Sequence, residues 1–186
     1  MRIIAGTMRS LPLKAPKGMN TRPTQDRIKE TLFNIINPYL YDARFLDLFS
    51  GSGGIGLEAV SRGAKESVFV EQDAAAQKCI EENITFTKCK DKTKLLKQNV
   101  LSAINVLDGG EPFDIIFMDP PYHKDLEKKV LKALKDTTLV TPDTLIIVEA
   151  SLETSFDDLV EMGYEMTRYK KYKTNAHAFI KQMGKD

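Results

Sequence analysis

The chain contains no tryptophan, only two cysteines and only two histidines. Cys79 and Cys89 have the spacing of neither a CxxC redox pair nor a zinc site, so we expect reduced thiols and no metal centre. The longest aliphatic runs, 115–118 and 145–148, are far too short to span a bilayer, and no apolar segment typical of a signal peptide opens the sequence. These absences predict a cytoplasmic protein with no membrane partner.

The sequence also lacks internal repeats, low-complexity tracts and long linkers. Its 186 residues are close to the usual size of one domain, and 42% hydrophobic with 28% charged residues is typical of a folded chain. We therefore predict a single domain over residues 1–186, with a hairpin or arm in residues 1–20 and the main core in residues 21–186. We expect a monomer.

Net charge is nearly absent over the whole chain, at +1, but it is unevenly distributed. Residues 1–30 carry seven basic and two acidic side chains, residues 163–186 carry six and two, and the stretch between them has a net charge of −8. Two basic ends on an acidic body indicate a polyanionic partner if both ends lie on the same side of the fold. Two solvated basic termini would give the same counts, so charge alone leaves both interpretations open.

Helical and strand-like patterns alternate through most of the chain. Apolar residues recur at helical spacing from Thr24, the expected N-cap, until Pro38 ends the pattern. The runs that predict strands are Phe45–Phe49, Ser67–Glu71, Lys94–Gln98, Asp114–Met118 and Leu145–Glu149. The stretches that predict helices are 55–62, 74–87, 100–107 and 125–135. This alternation predicts an α/β fold with right-handed crossovers and a parallel sheet covered on both faces.

The two ends of the chain depart from that pattern. Arg2–Leu13 is short, β-prone and interrupted by glycine and proline, so we expect a hairpin or arm rather than a part of the core. Tyr164–Lys173 and Ala176–Gln182 predict two further strands joined by a turn at Thr174 and Asn175. The sheet is therefore expected to end in an antiparallel hairpin.

Three glycines lie between the first predicted strand and the helix that follows it. Gly51, Gly53 and Gly56 match the GxGxxG pattern of nucleotide-binding loops. An acid, Glu71, stands 20 residues after Gly51, as in dinucleotide-binding folds. The pattern alone fits a nicotinamide or flavin dinucleotide, and a loop rich in glycine only for tight packing is the alternative without a ligand.

Asp47, at the end of the first predicted strand, favours a different ligand. A carboxylate there would repel the pyrophosphate that a dinucleotide places at such a loop. S-adenosylmethionine has no phosphate and carries a sulfonium and an ammonium group, which a carboxylate attracts. We therefore expect Asp47 to face the methionine end of this cofactor and Glu71 to accept hydrogen bonds from both ribose hydroxyls.

The sequence Asp119-Pro120-Pro121-Tyr122 follows the fourth predicted strand. Two prolines end the ladder, so Asp119 is displayed at the carboxyl edge of the sheet, where open α/β folds bind ligands. The exocyclic amine of a nucleobase is a poor nucleophile because its lone pair is delocalised into the ring. Hydrogen bonds to Asp119 and to a proline carbonyl can localise that lone pair, while Tyr122 offers a ring for stacking the base. An ordinary strand-ending turn is the alternative for this motif alone.

These motifs together resemble those of a known family. DPPY combined with DxFxGxG is similar to the class I amino-methyltransferases, which use S-adenosylmethionine. Arg2–Gly6 and Arg22–Asn34 closely resemble the bacterial 16S ribosomal RNA guanine-N2 methyltransferase family, called RsmD. The resemblance implies a Rossmann-like, mostly parallel sheet of seven strands with an antiparallel C-terminal hairpin, preceded by a small N-terminal β-hairpin extension. It also implies that the substrate is one guanine of 16S ribosomal RNA, within the 30S subunit or a late assembly intermediate.

The resemblance assigns roles to particular residues. Cofactor contacts are expected from Asp47, Phe49, Gly51, Gly53, Glu71, Gln72, Asn99, Arg22 and Thr24. Catalytic contacts with the guanine are expected from Asp119, Pro120 and Tyr122. Contacts with RNA phosphates are expected from Arg9, Lys14, Lys17 and Arg22. Phe49, Phe69 and Phe117 alternate with other strand residues and are also expected in the core.

The sequence departs from the family pattern at two places. Many relatives have an acid where this chain has Asn99, whose amide oxygen can still accept a hydrogen bond from the adenine amine of the cofactor. Relatives also tend to have a YGxT-like turn near the end, and Tyr172–Asn175 lacks its glycine. The first difference weakens the case for an adenine contact, and the second leaves the geometry of the last hairpin open.

Three other functions use some of the same features. A DNA adenine-N6 methyltransferase has both motifs, but it usually needs a target-recognition domain, for which 186 residues leave little room. A dinucleotide-dependent oxidoreductase is disfavoured by Asp47 and by the DPPY turn. A non-catalytic RNA-binding module is disfavoured by the presence of Asp119 and Tyr122.

Overall fold

The computed structural model describes residues 1–16, 23–121 and 125–184, with side chains described from residue 25 onward in the first helix. The strands are β1 (Arg44–Asp47), β2 (Glu66–Val70), β3 (Thr93–Leu96), β4 (Ile115–Met118), β5 (Leu145–Ser151), β6 (Tyr164–Lys171) and β7 (Asn175–Gln182). The helices are α1 (Pro23–Ile36), α2 (Gly54–Ser61), α3 (Ala74–Thr87), α4 (Val100–Leu107) and α5 (Leu126–Leu134). Short 3-10 turns occupy Asn37–Tyr39 and Lys90–Lys92.

The strands form one seven-stranded sheet with the order β3-β2-β1-β4-β5-β7-β6. The five strands from β1 to β5 are parallel, and a helix lies in each crossover between them. β7 is antiparallel to both β5 and β6. The predicted α/β fold, mostly parallel with an antiparallel C-terminal hairpin, is therefore confirmed.

Both faces of the sheet are covered by apolar side chains. On one face, α4 and α5 share a buried cluster with strand residues that include Leu46, Val68, Ile116, Ile146 and Val148. On the other face, α1 shares a buried cluster with Phe45, Ile115, Phe117, Ile147 and Phe179. Since strands buried on two sides need apolar residues at successive positions, the central strands are continuous apolar runs in the sequence.

Residues 1–13 form a hairpin that packs on α2 and α3. The main-chain N–H of Ile3 donates to the carbonyl of Leu11 at 3.0 Å, which joins the two arms of the hairpin. Ile3, Met8 and Leu13 are buried in a cluster with apolar residues of both helices. The expectation that this segment stays apart from the core is wrong, because its apolar side chains cover helical surface that would otherwise face water.

A buried carboxylate, Glu58 of α2, holds this hairpin in place. Its two oxygens accept hydrogen bonds from the main-chain N–H groups of Ile4 at 2.7 Å and Ala5 at 3.0 Å. Two cations also contact it, with Nε of Arg62 at 2.8 Å and Nζ of Lys29 at 3.4 Å. The side chain of Glu58 has no accessible surface, so hairpin, α1 and α2 meet at a fully desolvated charge. Desolvation lowers the pKa of Lys29, and the negative charge of Glu58 offsets this lowering only in part.

Several predicted boundaries differ from the structure by one or two residues, and two of these differences change the role assigned to a residue. Helix α1 begins at Pro23, so Thr24 lies inside the helix and is not its N-cap; proline is favoured in a first helical turn because its missing N–H is not needed there. Asn175 is the first residue of β7, and its carbonyl accepts a hydrogen bond from the N–H of Tyr172 at 2.8 Å. The turn therefore occupies residues 172–174.

Cys79 and Cys89 are buried, unpaired thiols, as the sequence predicts. Burial raises the pKa of both thiols, which keeps them protonated and unreactive. Across the described ranges, no group of three or more His, Cys, Asp or Glu side chains is arranged to hold a metal ion. None of the helices described above combines the length and the apolar character needed to cross a bilayer.

Candidate active site

Acidic residues stand at the carboxyl ends of four neighbouring parallel strands. Asp47 is the last residue of β1, Glu71 directly follows β2, and Asp119 directly follows β4. Glu149 lies in β5, immediately after the apolar run 145–148. The strand order reverses between β1 and β4: the chain continues from β1 to β2 on one side and from β4 to β5 on the other. This reversal opens a crevice between β1 and β4 at the carboxyl edge of the sheet. The sequence analysis missed Glu149, although an acid directly after an apolar strand is the same signal that identified the other three.

The glycine loop has the tight geometry that its sequence predicts. Gly51 and Gly53 have φ angles of 55° and 78°, which favour glycine. The hydroxyl of Ser50 donates to the carbonyl of Asp47 at 2.8 Å and accepts from the N–H of Val70 at 3.0 Å. Ser50 thus fixes the loop between the ends of β1 and β2, a role that the sequence analysis did not identify.

The third glycine, Gly56, allows α2 to pack directly on β2. A Cβ atom at this position would collide with the ring of Phe69 and the hydroxyl of Ser67, both of which are buried. Phe69 is therefore a core residue, as predicted. This close packing brings the first turn of α2 to the crevice beside β1.

Asp47 is a buried carboxyl group at the end of β1. Only 1% of the residue is accessible, and neither carboxyl oxygen accepts a hydrogen bond within the described part of the chain. Burial raises its pKa to about 7, and the nearby main-chain N–H groups of Phe49 and Gly56 offset this only in part. A cation placed beside Asp47 would compensate the buried charge, so the site fits a positively charged ligand.

Glu71 is held by main-chain donors at the mouth of the crevice. Its Oε2 accepts from the N–H of Gly51 at 2.9 Å, and its Oε1 accepts from the N–H of Asp73 at 2.8 Å. Each carboxylate oxygen has a second lone pair, so Glu71 can still accept two hydroxyl groups. Its position is therefore compatible with the predicted contact to a ribose.

Three other predicted cofactor residues lie around this mouth. Gln72 is exposed beside Glu71. Phe49 is partly buried and packs against the core cluster on the side of α4 and α5. Asn99 is exposed and is the N-cap of α4: its Oδ1 accepts from the N–H of Ser102 at 3.0 Å. One lone pair of that oxygen is therefore already used, which the sequence analysis did not anticipate.

Asp119 emerges from β4 next to two other carboxyl groups. The residue itself is exposed, whereas Pro120 after it is buried. The pKa of Asp119 is raised, because surrounding protein atoms disfavour its charged form and because Glu149 and Asp47 add negative charge nearby. We attribute the rise mainly to this repulsion among carboxylates, since the accessible surface of Asp119 limits desolvation.

Glu149 belongs to a hydrogen-bonded network that the sequence did not reveal. Its Oε1 accepts from Nδ2 of Asn175 at 2.7 Å, and its Oε2 lies 3.0 Å from Nε2 of His177. His177 is buried, and its Nδ1 lies 3.2 Å from the hydroxyl of Tyr172. Burial and the charge of Glu149 raise the pKa of Tyr172 to about 12, so this hydroxyl keeps its proton.

Strand register places the network beside Asp119. Met118 pairs with Val148, so Asp119 and Glu149 occupy adjacent positions at the carboxyl edge. Glu149 pairs with His177, which in turn pairs with Lys170 on the outer strand β6. Because directly paired residues point to the same face, one polar row crosses the sheet from the crevice to a basic edge strand.

The two predicted RNA-binding residues that the structure describes, Arg9 and Lys14, lie apart. Lys14 is exposed near the glycine loop and forms an ion pair with Glu82, with Nζ and Oε2 2.8 Å apart. Arg9 is exposed at the tip of the hairpin, beside Ser61 at the opposite end of α2 from that loop. Lys17, Arg22 and Tyr122 lie outside the described residues, as does the side chain of Thr24.

Comparison with known proteins decides the family. The model of the family described as "Conserved hypothetical protein 95" matches residues 1–181. This chain belongs to that family. It is the RsmD family, so the resemblance in the sequence motifs is confirmed.

Individual relatives of the RsmD family agree with this result. The chain is 36% identical over 153 residues to "Ribosomal RNA small subunit methyltransferase D" of Escherichia coli, covering 82% of this chain and 76% of that protein. It is 37% identical over 150 residues to the protein of the same name from Haemophilus influenzae, covering 80% and 78%. These relatives carry the name of an enzyme that modifies ribosomal RNA.

Solved structures extend the similarity to the fold. A candidate methyltransferase of Escherichia coli, yhhF, superposes with a TM-score of 0.85 at 31% identity, covering 100% of this chain and 99% of that one. A ribosomal protein L11 methylase from Lactobacillus delbrueckii has a TM-score of 0.74 at 16% identity, covering 95% and 88%. This RsmD-family chain therefore has the class I methyltransferase fold.

Proposed function

We propose that this chain transfers a methyl group from S-adenosylmethionine to the exocyclic N2 amine of one guanine in 16S ribosomal RNA. The observation that carries the proposal is the pair of carboxyl groups at the crevice. Asp47 is buried and accepts no hydrogen bond from the residues that the structure describes, and Asp119 stands beside it at the end of the neighbouring strand. The first fits a cationic cofactor, and the second fits an amine that must lose a proton. The names of the relatives support ribosomal RNA as the substrate.

The residues of the glycine loop and of β2 would hold the cofactor, which supplies a methyl group on a positively charged sulfur. Asp47 would compensate its positive charge, and Glu71 would accept hydrogen bonds from its ribose. Gly51 and Gly53 allow the main chain to approach the ligand closely. The pyrophosphate of a dinucleotide would be repelled by the buried carboxyl of Asp47, and this disfavours a dinucleotide-dependent oxidoreductase.

Asp119 would activate the amine of the base. Its carboxylate accepts a hydrogen bond from the amino group, which localises the nitrogen lone pair toward the incoming methyl group. As the bond between nitrogen and the methyl carbon forms and the bond between sulfur and that carbon breaks, the amine proton passes to Asp119. A carboxylate with a raised pKa is a stronger base for this step, provided that the cofactor's positive charge keeps it ionised beforehand.

Basic residues near the crevice support a polyanionic substrate. Lys170 and Lys171 lie on β6 opposite His177 and Ala176, at the same edge of the sheet as Asp119. Phosphate contacts there would add affinity without base sequence, while the pocket reads the base. The target base must leave its stack, which costs least in an RNA loop. We place the reaction in the bacterial cytoplasm, on the 30S subunit or a late assembly intermediate, with the protein acting as a monomer.

Methyl transfer from labelled S-adenosylmethionine tests the proposal. Three substrates separate the candidates: 30S subunits that lack the modification, naked 16S RNA and duplex DNA. Nucleoside analysis of the products should give N2-methylguanosine from the 30S subunit. N6-methyladenine, label in DNA alone, or no label in either RNA substrate would refute the assignment. Calorimetric titration with S-adenosylhomocysteine and with NAD separates the oxidoreductase, since only the former is expected to release heat.

A further inference from the structure

The pocket must distinguish guanine from the other bases that carry an exocyclic amine. In guanine, the carbon that bears the 2-amino group also bonds to N1, which carries a hydrogen. In adenine and cytosine, the ring nitrogen beside the amine carries a lone pair instead. An acceptor placed next to Asp119 would therefore read the difference directly.

Glu149 occupies that neighbouring position. It follows the residue paired with Met118, so it is adjacent to Asp119 on the next strand, and strands lie about 4.8 Å apart. A fifth of its side chain remains accessible, so the carboxylate is not sealed by its protein partners. The charge of Glu149 also acts on Asp119, which supports the short separation of the two groups.

The network behind Glu149 fixes it as an acceptor. Asn175 donates to one oxygen through its amide nitrogen, and His177 faces the other through Nε2. Both ring nitrogens of His177 are satisfied when Tyr172 donates to Nδ1 and Nε2–H donates to Glu149. These two donors leave a second lone pair on each oxygen of Glu149.

We propose that Glu149 is a specificity-determining residue, which accepts a hydrogen bond from N1–H of the target guanine while Asp119 accepts one from its 2-amino group. This inference rests on the proposed guanine-N2 activity and adds the residue that selects the base. An adenine or cytosine in the same pose would set a ring-nitrogen lone pair against the Glu149 carboxylate. That repulsion, together with the lost hydrogen bond, excludes both bases.

The test uses a base that keeps the amine and loses the N1 hydrogen. 2-Aminopurine carries the same 2-amino group, but its N1 is an acceptor. Ribosomal RNA with guanine or 2-aminopurine at the target is reconstituted into 30S subunits, and kcat/KM is measured for each. The wild-type chain should prefer guanine by about tenfold or more, the value of one well-made hydrogen bond.

The variant Glu149→Gln should reduce this preference by about tenfold, because an amide N–H can donate to N1 of 2-aminopurine. Glu165→Gln, the same change at the opposite edge of the sheet, should leave the preference unchanged. Binding of S-adenosylhomocysteine reports whether each variant is folded. If Glu149→Gln is folded and its preference for guanine is unchanged, the inference is overturned. If that variant fails to fold, the wild-type chain decides: equal kcat/KM values for guanine and 2-aminopurine overturn the inference.

The two proposals fail in different ways. If the wild-type chain forms no N2-methylguanosine on any RNA substrate, the proposed function is wrong. If it forms this product but accepts 2-aminopurine as readily as guanine, the function stands and the role of Glu149 does not.

Discussion

The main-chain N–H of Gly51 donates a hydrogen bond to Oε2 of Glu71 at 2.9 Å. The acid expected to bind the cofactor ribose thus also fixes the glycine loop beside it. Glu71→Ala should weaken S-adenosylmethionine binding by about 10–100-fold, because it removes charged acceptors and releases the loop. Calorimetry measures the Kd. Glu66→Ala, at the other end of β2, serves as the control, and equal losses in both variants would show that stability rather than a ribose contact is affected.

Cofactor affinity should depend on pH through Asp47. The pKa of its buried carboxyl is about 7, and a bound cation favours the ionised form, so binding below pH 7 must release a proton. The affinity for S-adenosylmethionine should therefore rise by up to about tenfold per pH unit as pH approaches 7, and level off above it. Asp47→Asn should bind more weakly, with a flatter profile. An equally steep profile in that variant would assign the titration to another group.

Folding without cofactor should show the opposite dependence. Unfolded, the carboxyl of Asp47 loses its proton near its ordinary pKa of 3.8; folded, it keeps the proton up to about 7. The folded state therefore binds more protons between these values, and the free energy of unfolding falls as pH rises across them. Urea titrations at several pH values measure this fall, which Asp47→Asn should reduce.

Asp119 should affect turnover far more than cofactor binding. Asp119→Ala removes both the hydrogen bond to the amine and the proton acceptor, so kcat should fall by at least about 10²–10⁴-fold. Asp119→Asn keeps an acceptor oxygen but cannot take the proton. The single-turnover rate of this variant should therefore lie between those of the wild type and of Asp119→Ala. The Kd for S-adenosylmethionine should change little in either. Comparable turnover in Asp119→Ala would remove the residue from the mechanism.

Glu58 should be critical for stability. Its carboxylate is fully buried and compensates Lys29 and Arg62, so Glu58→Ala leaves buried cations and two main-chain donors without their acceptor. We expect a loss of about 3–5 kcal/mol in the free energy of unfolding, measured with urea. Glu82→Ala also breaks an ion pair with the N-terminal segment, but that pair is exposed and should matter little. Similar losses of stability in the two variants would contradict this role for Glu58.

Local sequence patterns predicted the features that depend on neighbouring residues. Alternating apolar runs gave the parallel strands, and the glycine spacing gave the tight turn after Asp47. The features that escaped prediction depend on residues far apart in the chain. The contact of Glu149 with His177 joins positions 28 residues apart, and it exists only because β7 pairs with β5 in one antiparallel register. No local pattern encodes that register.

Burial and helix capping changed the interpretation of two further residues, Glu58 and Asn99. Glu58 follows the glycine loop in an apolar helix, and the sequence does not indicate that the hairpin and α1 both contact it. The sequence pattern presents Asn99 only as a substitute for an acid. In the structure, Asn99 lies directly before α4 and is the N-cap of that helix. The contacts of Glu58 depend on elements far apart in the chain, whereas the cap formed by Asn99 is local and could have been predicted from the helix expected at 100–107.

The hydrogen bond between Ile4 and Glu58 spans 54 residues, and this has a consequence for synthesis of the chain. The hairpin is synthesised before its acceptor, which leaves the ribosome only after α1, β1 and the glycine loop. Until then, Ile3 and Met8 lack the apolar surface of α2 and α3 that they cover in the folded chain. The hairpin therefore cannot take its folded position until α2, more than half a hundred positions farther along the chain, has also been synthesised.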